Sequence, residues 1–382
     1  MRGRSATEQH RAATPLELFF DLVFVIAIAQ AASGLHHAIT GHHFAEGIVR
    51  YAMAFFGIWW AWMNFTWFAS AYDCDDVPYR LTVFVQMTGA LIFTAGIDRM
   101  FAAQDFTLGV AGYVVMRLSM VAQWMRAARG DPSHRVTALR YARGIGLVQV
   151  VWVALLFVPV RLFLPGFVLL GIVELLIPAW AERAGMTPWH PHHVTERYGL
   201  MTIIVLGESV LAATMAAQQA IASDRAMADL APLIVGGLLI VLAMWWLYFD
   251  HSAASRLTNL KRAMTWGYGH YLVFAAAAAV GAGLAVALDH DIDKARISDF
   301  AAGAAVAIPV AVYLSVLWML HGRNGPPTVP YMAPVAVALV LLAPLTNHAV
   351  PLIGLSMVAL LAAKLLVRAR VISSGTAWWR GS

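Results

Sequence analysis

The sequence predicts an all-helical, polytopic transmembrane bundle of about twelve spans. Three observations support this class: the composition, the recurring apolar runs and the distribution of basic residues. Of the 382 residues, 60% are hydrophobic and only 12% are charged, whereas soluble domains carry about 25% charged residues. A soluble fold of this length lacks the polar side chains to cover its surface, so the excess apolar surface must face lipid. Helices are required because lipid cannot satisfy exposed backbone amides, and the period-2 alternation of barrel strands is absent.

Twelve apolar runs approach the roughly 20 residues that a helix needs to cross a bilayer. In the first half of the chain they cover 16–35, 47–71, 81–97, 107–125, 144–160 and 162–180. In the second half they cover 199–217, 231–249, 269–288, 300–320, 329–345 and 350–367. The even number predicts that both termini lie on the same side of the membrane.

The basic residues test this span count, because cytoplasmic loops are enriched in Lys and Arg. With the N-terminus inside, 19 of the 26 Lys and Arg residues fall in predicted cytoplasmic segments and 6 on the opposite side. The remaining one, Arg117, lies inside a span. This asymmetry predicts cytoplasmic N- and C-termini. The basic residues lie between apolar runs and not along one stripe, so we expect no nucleic-acid partner.

The sequence lacks known catalytic motifs and a pair of cysteines that could form a disulfide. The single cysteine, Cys74, permits no internal disulfide. The run His190-Pro-His-His193 lacks the Glu of a zincin motif, and no Gly-rich phosphate loop or nucleophile elbow is present. The polar start of the chain has no signal-peptide pattern. We therefore expect a protein without enzyme activity or cofactor that keeps its N-terminal segment.

Short matches between the two halves predict an internal duplication. Six helices per repeat would give both halves the same orientation. The predicted order is a cytoplasmic segment at 1–14, repeats at 15–183 and 194–368, and a cytoplasmic tail at 369–382. Chance is the alternative, because short aromatic matches are common in apolar sequence. The matching pairs are Glu17-Leu-Phe19 with Glu196-Arg-Tyr198, Trp59-Trp60 with Trp245-Trp246, and Val83-Phe84 with Val273-Phe274.

Ionisable side chains within spans are the candidate functional residues. Each costs about 2.5–3.5 kcal/mol on insertion scales, so such groups usually face the bundle interior or a hydrated path. Glu17 and Asp21 lie four residues apart and hence on one helix face. Glu208 follows Gly207, which would allow a close helix approach and bury the carboxylate at a proton-binding site.

A structural explanation for the buried charges is an ion pair, and Arg117 is the expected partner of Glu208 or Glu174 because their depths are similar. Arg197 shares a helix face with Glu208 but sits roughly 16 Å along the helix. Asp250 and His270, near the cytoplasmic ends of their spans, complete the set of candidate residues for binding a solute or ion.

Histidine and tryptophan groups have more ordinary explanations. The histidines could bind zinc or nickel, but no cysteine or nearby carboxylate pair completes a site, so we expect solvated loop residues and no metal. The tryptophans could line a substrate cavity, but a packing or lipid-facing stripe is more common. These residues are His36, His37, His42, His43, His190, His192 and His193, and Trp59, Trp60, Trp62 and Trp67.

Three segments resemble the bacterial low temperature requirement A protein family: PLELFFDLVFV at 15–25, ERYGLMTIIVLGES at 196–209 and GHYLVF at 269–274. The resemblance covers nearly the whole chain. It implies a bacterial plasma-membrane protein connected with growth in the cold, and it supplies no established substrate. Its polar motif positions are Glu17, Asp21, Glu196, Arg197, Gly207 and Glu208.

The leading functional expectation is a secondary transporter of an unidentified solute, with proton coupling through buried carboxylates. One alternative is an ion channel whose pore is lined by the repeated first helices. The other is a non-transporting membrane protein needed for growth at low temperature. The expected partners are the lipid bilayer and a small solute or ion, and assembly as a homo-oligomer is left open.

Overall fold

The protein is all-helical wherever its structure is described. The computed structural model describes residues 1–5, 8, 11–222, 227–250, 254–322 and 329–373. Over these ranges the chain forms twelve α-helices and no β-strand. The predicted all-helical class is therefore confirmed. The final residues of the predicted tail, with Trp378 and Trp379, lie outside the described ranges.

The helices follow one another with short connections. In the first half they are α1 Pro15–Thr40, α2 Phe44–Tyr72, α3 Val77–Ala103, α4 Thr107–Gly130, α5 Arg135–Leu155 and α6 Val160–Ala181. In the second half they are α7 Pro191–Ala222, α8 Met227–Phe249, α9 Leu260–Asp291, α10 Asp299–Leu317, α11 Val329–Leu342 and α12 Ala349–Ser373. A π-helical turn, Trp318–Gly322, continues α10.

Nine helices in the described part of the chain are long and apolar enough to cross a membrane by length and composition. They are α1, α3 to α6, α8 to α10 and α12, some extended by a 3-10 or π turn. The apolar stretch that includes α11, Tyr331–Leu345, is shorter. Large apolar side chains remain exposed along these helices, including Leu147 at 70% and Leu169 at 62%. These features support an integral membrane protein.

Several helices begin earlier than their apolar runs. Helix α5 covers Arg135–Leu155 and not the predicted 144–160, because its first two turns are helical but carry arginines. The chain leaves the helix before Pro159, which precedes α6. Helices α7 and α9 begin at Pro191 and Leu260, well before the predicted 199 and 269. Hydropathy marks only the apolar part of a helix, so it misses polar first turns.

The chain divides into two compact units. The first unit contains Met1–Ala31 and Ala52–Tyr198, and the second contains Ala32–Tyr51 and Gly199–Ser382. In the first unit α3 packs on α4, α4 on α5 and α5 on α6. In the second unit α9 packs on α10, α8 on α12, and α10 and α12 on α11.

Large aromatic side chains fill the core of the first unit. Trp59, Trp60 and Trp62 of α2 are all buried, at 3%, 0% and 0% exposure. The ring of Phe65 lies 4.0 Å from that of Phe20, measured between centroids. The tryptophan stripe of α2 therefore packs inside the protein and does not face lipid.

Small residues line much of the buried face of α9 in the second unit. Helix α9 buries alanines at 276–279 together with Gly281 and Gly283. A Cβ atom at Gly283 would collide with the backbone carbonyl of Ala305 in α10. Such small residues allow two helix backbones to approach closely.

Candidate functional site

Helix α1 begins with a capping box that fixes the Glu17 carboxylate. The amide of Glu17 donates to Thr14 Oγ1 at 3.3 Å, and the amide of Thr14 donates to Glu17 Oε2 at 2.8 Å. Pro15 occupies the first helical position, where its missing N–H is harmless. Asp21 lies one turn further along the same helix face. The local sequence thus aims two carboxylates in one direction.

Helix α7 presents the complementary pair, His193 and Arg197, which also lie four residues apart. Arg197 Nη2 and Nε donate to Asp21 Oδ1 and Oδ2 at 2.5 and 3.2 Å. Arg197 Nη1 lies 2.9 Å from Glu17 Oε1, and His193 Nε2 lies 3.1 Å from the same oxygen. All four side chains are fully buried. These residues, with Trp62, are called the Glu17 cluster below.

Helix α2 contributes a polar row to the same region. Trp62 Nε1 donates to Asp21 Oδ1 at 2.7 Å. Thr66 and Ser70 follow at four-residue spacing and are fully buried. Ser70 Oγ accepts a hydrogen bond from the amide of His190 at 2.9 Å. This row links the start of α7 to α2 through hydrogen bonds.

Arg11 and Asp73 complete the charged surroundings of the Glu17 cluster. Arg11 donates to the backbone carbonyls of Ala69 and Ser70 at the end of α2. A cation is favourable there because helix C-termini carry partial negative charge. Burial and the negative charge of Glu17 raise the pKa of Asp73, which follows α2. Asp73 therefore keeps a proton to higher pH than an ordinary aspartate.

The Glu17 cluster contains more buried polar atoms than its contacts satisfy. Two carboxylates face one guanidinium and one imidazole, so a neutral imidazole leaves one negative charge uncompensated. Among the described residues, no hydrogen-bond partner is found for His193 Nδ1, Thr66 Oγ1 or the Tyr79 hydroxyl. Tyr79 lies within electrostatic range of Glu17. Buried polar atoms without partners are rare, so these atoms mark a place for a further proton, water or small ligand.

A second network, the Glu174 cluster, surrounds the carboxylate of Glu174 in α6. Arg117 Nη2 lies 2.7 Å from Glu174 Oε2, and both side chains are buried. Four neutral donors from three other helices complete the shell, so the carboxylate accepts five hydrogen bonds. These donors are Trp60 Nε1 at 2.9 Å, Tyr113 OH at 3.1 Å, Gln149 Nε2 at 3.1 Å and Trp152 Nε1 at 3.3 Å.

The Glu174 cluster is electrically neutral, unlike the Glu17 cluster. One cation faces one anion, and protein donors form hydrogen bonds to both oxygens of the carboxylate. Two of its donors, Tyr113 and Trp152, also line an apolar cavity of about 30 Å³. Nε and Nη1 of Arg117 have no hydrogen-bond partner among the described residues. The arrangement stabilises a fixed ion pair and provides no group that must change charge.

The predicted site residues separate into these two clusters and four others. Glu17, Asp21 and Arg197 meet, and Arg117 pairs with Glu174. Glu196 is exposed on α7, where its Oε1 accepts from the amide of Ala13 at 3.4 Å. Glu196 is thus next to the Glu17 cluster in sequence but outside it.

Glu208 does not lie at a close helix crossing. Among the described residues, no heavy atom lies within 4 Å of the place where a Cβ at Gly207 would stand. Glu208 itself is only half-buried. The predicted close approach at Gly207 is therefore wrong, because this face of α7 is open at that level.

Asp250 and His270 have separate partners in the second unit. Asp250, just after α8, lies 3.1 Å from Lys364 Nζ and 3.3 Å from Arg368 Nη1 of α12. His270 is buried, and its Nδ1 donates to the carbonyl of Trp266 at 2.7 Å. These contacts do not bring Asp250 and His270 together.

His193 is the functional side chain that sequence reasoning missed. The expectation of solvated loop histidines is wrong for His190 and His193, which are 5% and 0% exposed. The missed signal is the spacing: His193 and Arg197 repeat the four-residue step of Glu17 and Asp21 with complementary charge. Among the described residues, no group of three or more His, Cys, Asp or Glu side chains is arranged to hold a metal ion.

The fold and the buried networks define a helical membrane protein with two ion-pair clusters among its helices. The family model of the bacterial low temperature requirement A protein (LtrA) matches residues 12–369, so the chain belongs to that family. An uncharacterized protein of Rhizobium meliloti (strain 1021) is 28% identical over 282 residues. The match covers 69% of this chain and 66% of that relative, so the chain spans just under two thirds of the relative's length. The predicted family is confirmed.

Proposed function

We propose that this protein is a secondary transporter of the bacterial plasma membrane that couples a small solute to a proton gradient at the Glu17 cluster. The observation that supports the proposal is the unequal charge of that cluster. Two buried carboxylates meet one guanidinium, so a single proton decides between a net charge of zero and of minus one. A carrier driven by protons needs such a group within its membrane region.

The physical argument rests on the cost of burying net charge. An uncompensated ion in a low-dielectric interior costs several kcal/mol, and a paired ion costs much less. One added proton removes the net charge of the cluster, and in the proposed cycle the cluster alternates between its two charge states as solvent or solute reaches it. Glu17 and Asp21 both lie on α1, so the proposed coupling groups share one helix.

The proposal includes twelve spans, cytoplasmic termini and two repeats at 15–183 and 194–368. Corresponding helices pair in the same order: α3 with α4 and α9 with α10, then α5 with α6 and α11 with α12. This agreement favours a duplication, and many secondary transporters are built from repeats. The basic residues of the predicted cytoplasmic loops support the orientation.

A proteoliposome assay tests the proposal. The purified protein is reconstituted with a pH-sensitive dye inside, a pH gradient is imposed, and amino acids, sugars, Na⁺ and K⁺ are added in turn. We expect one solute to produce proton flux that saturates with its concentration. Glu17→Gln should abolish this flux, whereas Glu196→Gln should leave it unchanged because Glu196 is exposed and outside the cluster.

Three outcomes would contradict the proposal. The first is a panel in which every solute fails to move protons through the wild-type protein. The second is equal flux in wild type and Glu17→Gln. The third is a current that does not saturate, which would identify a channel. Glu208 is a second candidate proton site, and unchanged flux in Glu208→Gln would remove it from the mechanism.

A further inference from the structure

Three histidines at the start of α7 lead from the surface to the Glu17 cluster. His192 is exposed, His190 is 5% exposed and His193 is fully buried. The ring centroids of His190 and His192 lie 5.9 Å apart. The amide of His193 donates to His190 Nδ1 at 3.3 Å, which holds the two residues in one turn. The three imidazoles therefore lie within four residues of one another, and their burial increases from His192 through His190 to His193.

The contacts of His193 indicate where its protons lie. Nε2 lies 3.3 Å from Glu17 Oε2, so this nitrogen carries a hydrogen and donates it to the carboxylate. Nδ1 is buried, and none of the described residues provides it with a hydrogen-bond partner. The neutral ring thus has one free lone pair inside the protein. A second proton can bind there with no rearrangement of the Glu17 contact.

We propose that His193 binds the coupling proton at Nδ1 and that His192 and His190 deliver it from the surface. This proposal rests on the proton-coupled function given above. In the transfer step, the Nδ1 lone pair of His193 accepts a proton and the ring becomes an imidazolium. The donor is a hydronium ion, which becomes water, or a protonated His190, which returns to its neutral form. Protonated His190 has no lone pair on Nδ1, so the hydrogen bond from the His193 amide is absent in that form and re-forms when the proton leaves.

The charges around His193 favour this assignment. Glu17 and Asp21 face it from α1, and Arg197 lies one turn away on α7. Arg11, from the N-terminal segment, is also within electrostatic range, but it donates to backbone carbonyls of α2. Asp73, close to Arg11 and Glu17, offsets the charge of Arg11 when ionised. Protonation of His193 therefore balances the remaining carboxylate.

Nitrogen-15 NMR of the histidine-labelled protein in lipid nanodiscs tests the proton site without any solute. His193→Gln identifies the His193 signals, because a glutamine amide keeps the donor to Glu17 but binds no second proton. We expect those signals to convert from a ring protonated at Nε2 to an imidazolium as the pH falls. The change should move to lower pH in Glu17→Gln, since its partner charge is gone. A ring that stays singly protonated wherever the protein is folded would overturn the proposal.

The delivery path is tested by proton flux in proteoliposomes. His190→Asn keeps an acceptor for the His193 amide but cannot carry a proton, so we expect flux to fall by about tenfold or more. The matched control is His42→Asn, at an exposed position with positive φ that asparagine tolerates. Equal flux in His190→Asn and His42→Asn would exclude the path. If the wild type moves no protons but His193 titrates, the transport function fails and the proton site stands.

Discussion

The two units bury polar groups in opposite ways. In the first unit, Arg117 and Arg197 are at most 1% exposed and each contacts at least one carboxylate. In the described part of the second unit, the Asp250 and Lys364 pair keeps 10% and 18% of its side chains exposed. The centre of α9 instead packs through alanine and glycine, and its buried His270 uses neutral hydrogen bonds.

The two kinds of buried packing differ in how much they contribute to stability. A buried ion pair contributes little stability because desolvation offsets most of the attraction, so apolar residues in its place often stabilise a protein. Close packing of small residues has no such cost. We therefore place the proposed proton chemistry in the charged first unit, and we interpret the small-residue packing of α9 as a source of stability in the second unit.

The largest effect should come from removing Arg197. Arg197→Met leaves Glu17 and Asp21 buried without a permanent countercharge, and such a loss typically costs about 3–5 kcal/mol. Equilibrium unfolding of the detergent-solubilised protein measures it. Arg183→Met, at an exposed arginine of the same unit, is the control and should change stability by less than about 0.5 kcal/mol. Adding Glu17→Gln and Asp21→Asn to Arg197→Met should recover much of the loss. Similar stability of the two single variants would contradict the charge argument.

Substitution in the Glu174 cluster should cost somewhat less stability, because the hydrogen-bond acceptor is replaced and not deleted. Glu174→Gln keeps an oxygen for some of the five donors but leaves the Arg117 charge unpaired, at a cost of about 3 kcal/mol. In a double-mutant cycle with Arg117→Met, the double variant should lose less stability than the sum of the single losses. Additive losses would show that the two side chains do not interact.

The sequence predicted the fold class because composition alone separates lipid-facing from water-facing chains. It predicted helix positions less well where polar first turns begin a helix, as at Arg135 and Leu260. Those turns are held by backbone hydrogen bonds and capping, which hydropathy does not measure. The capping box of Thr14 and Glu17 explains where α1 begins.

The candidate site was predicted in part. The spacing of Glu17 and Asp21 places both on one face, and similar depth made Glu174 one of the two expected partners of Arg117, with Glu208 as the other. The partner of Glu17 could not be derived, because Arg197 is 176 residues beyond Asp21 in the chain and only the three-dimensional packing brings them together. The close helix approach at Gly207 was predicted wrongly, since a glycine permits such an approach but does not cause one.

Alanine substitutions at two glycines of the second unit should differ in their effect on stability, by less than the charge substitutions above. Gly283→Ala would force a methyl group against the Ala305 carbonyl of α10, and overpacking of this kind costs about 1–3 kcal/mol. Gly207→Ala is the matched control, because none of the described residues comes within 4 Å of a Cβ at that position. It should be neutral or stabilise the helix by up to about 1 kcal/mol. Thermal unfolding in detergent measures both, and equal midpoints would show that α9 and α10 are not closely packed.

The smallest predicted effect on stability concerns an acidic helix cap and its protonation at low pH. Asp76 caps α3, and although slight burial opposes it, the Tyr79 amide and the Arg126 guanidinium hold the pKa of Asp76 below its usual value. In the second unit the caps of α9 and α10 are Asn259 and Ser298, which do not titrate in this range.

A lowered pKa means that the Asp76 contribution is present at neutral pH and disappears as the pH falls through the folded-state value. Asp76→Asn keeps the cap but loses the ion pair with Arg126, so it should destabilise the protein by about 0.5 kcal/mol at pH 7. The difference from wild type should vanish once Asp76 is protonated, and Asn259→Ser should show no such pH dependence. Unfolding free energies measured from pH 7 to pH 3 decide the matter: a constant difference between Asp76→Asn and wild type would mean that the charge of Asp76 contributes nothing to stability.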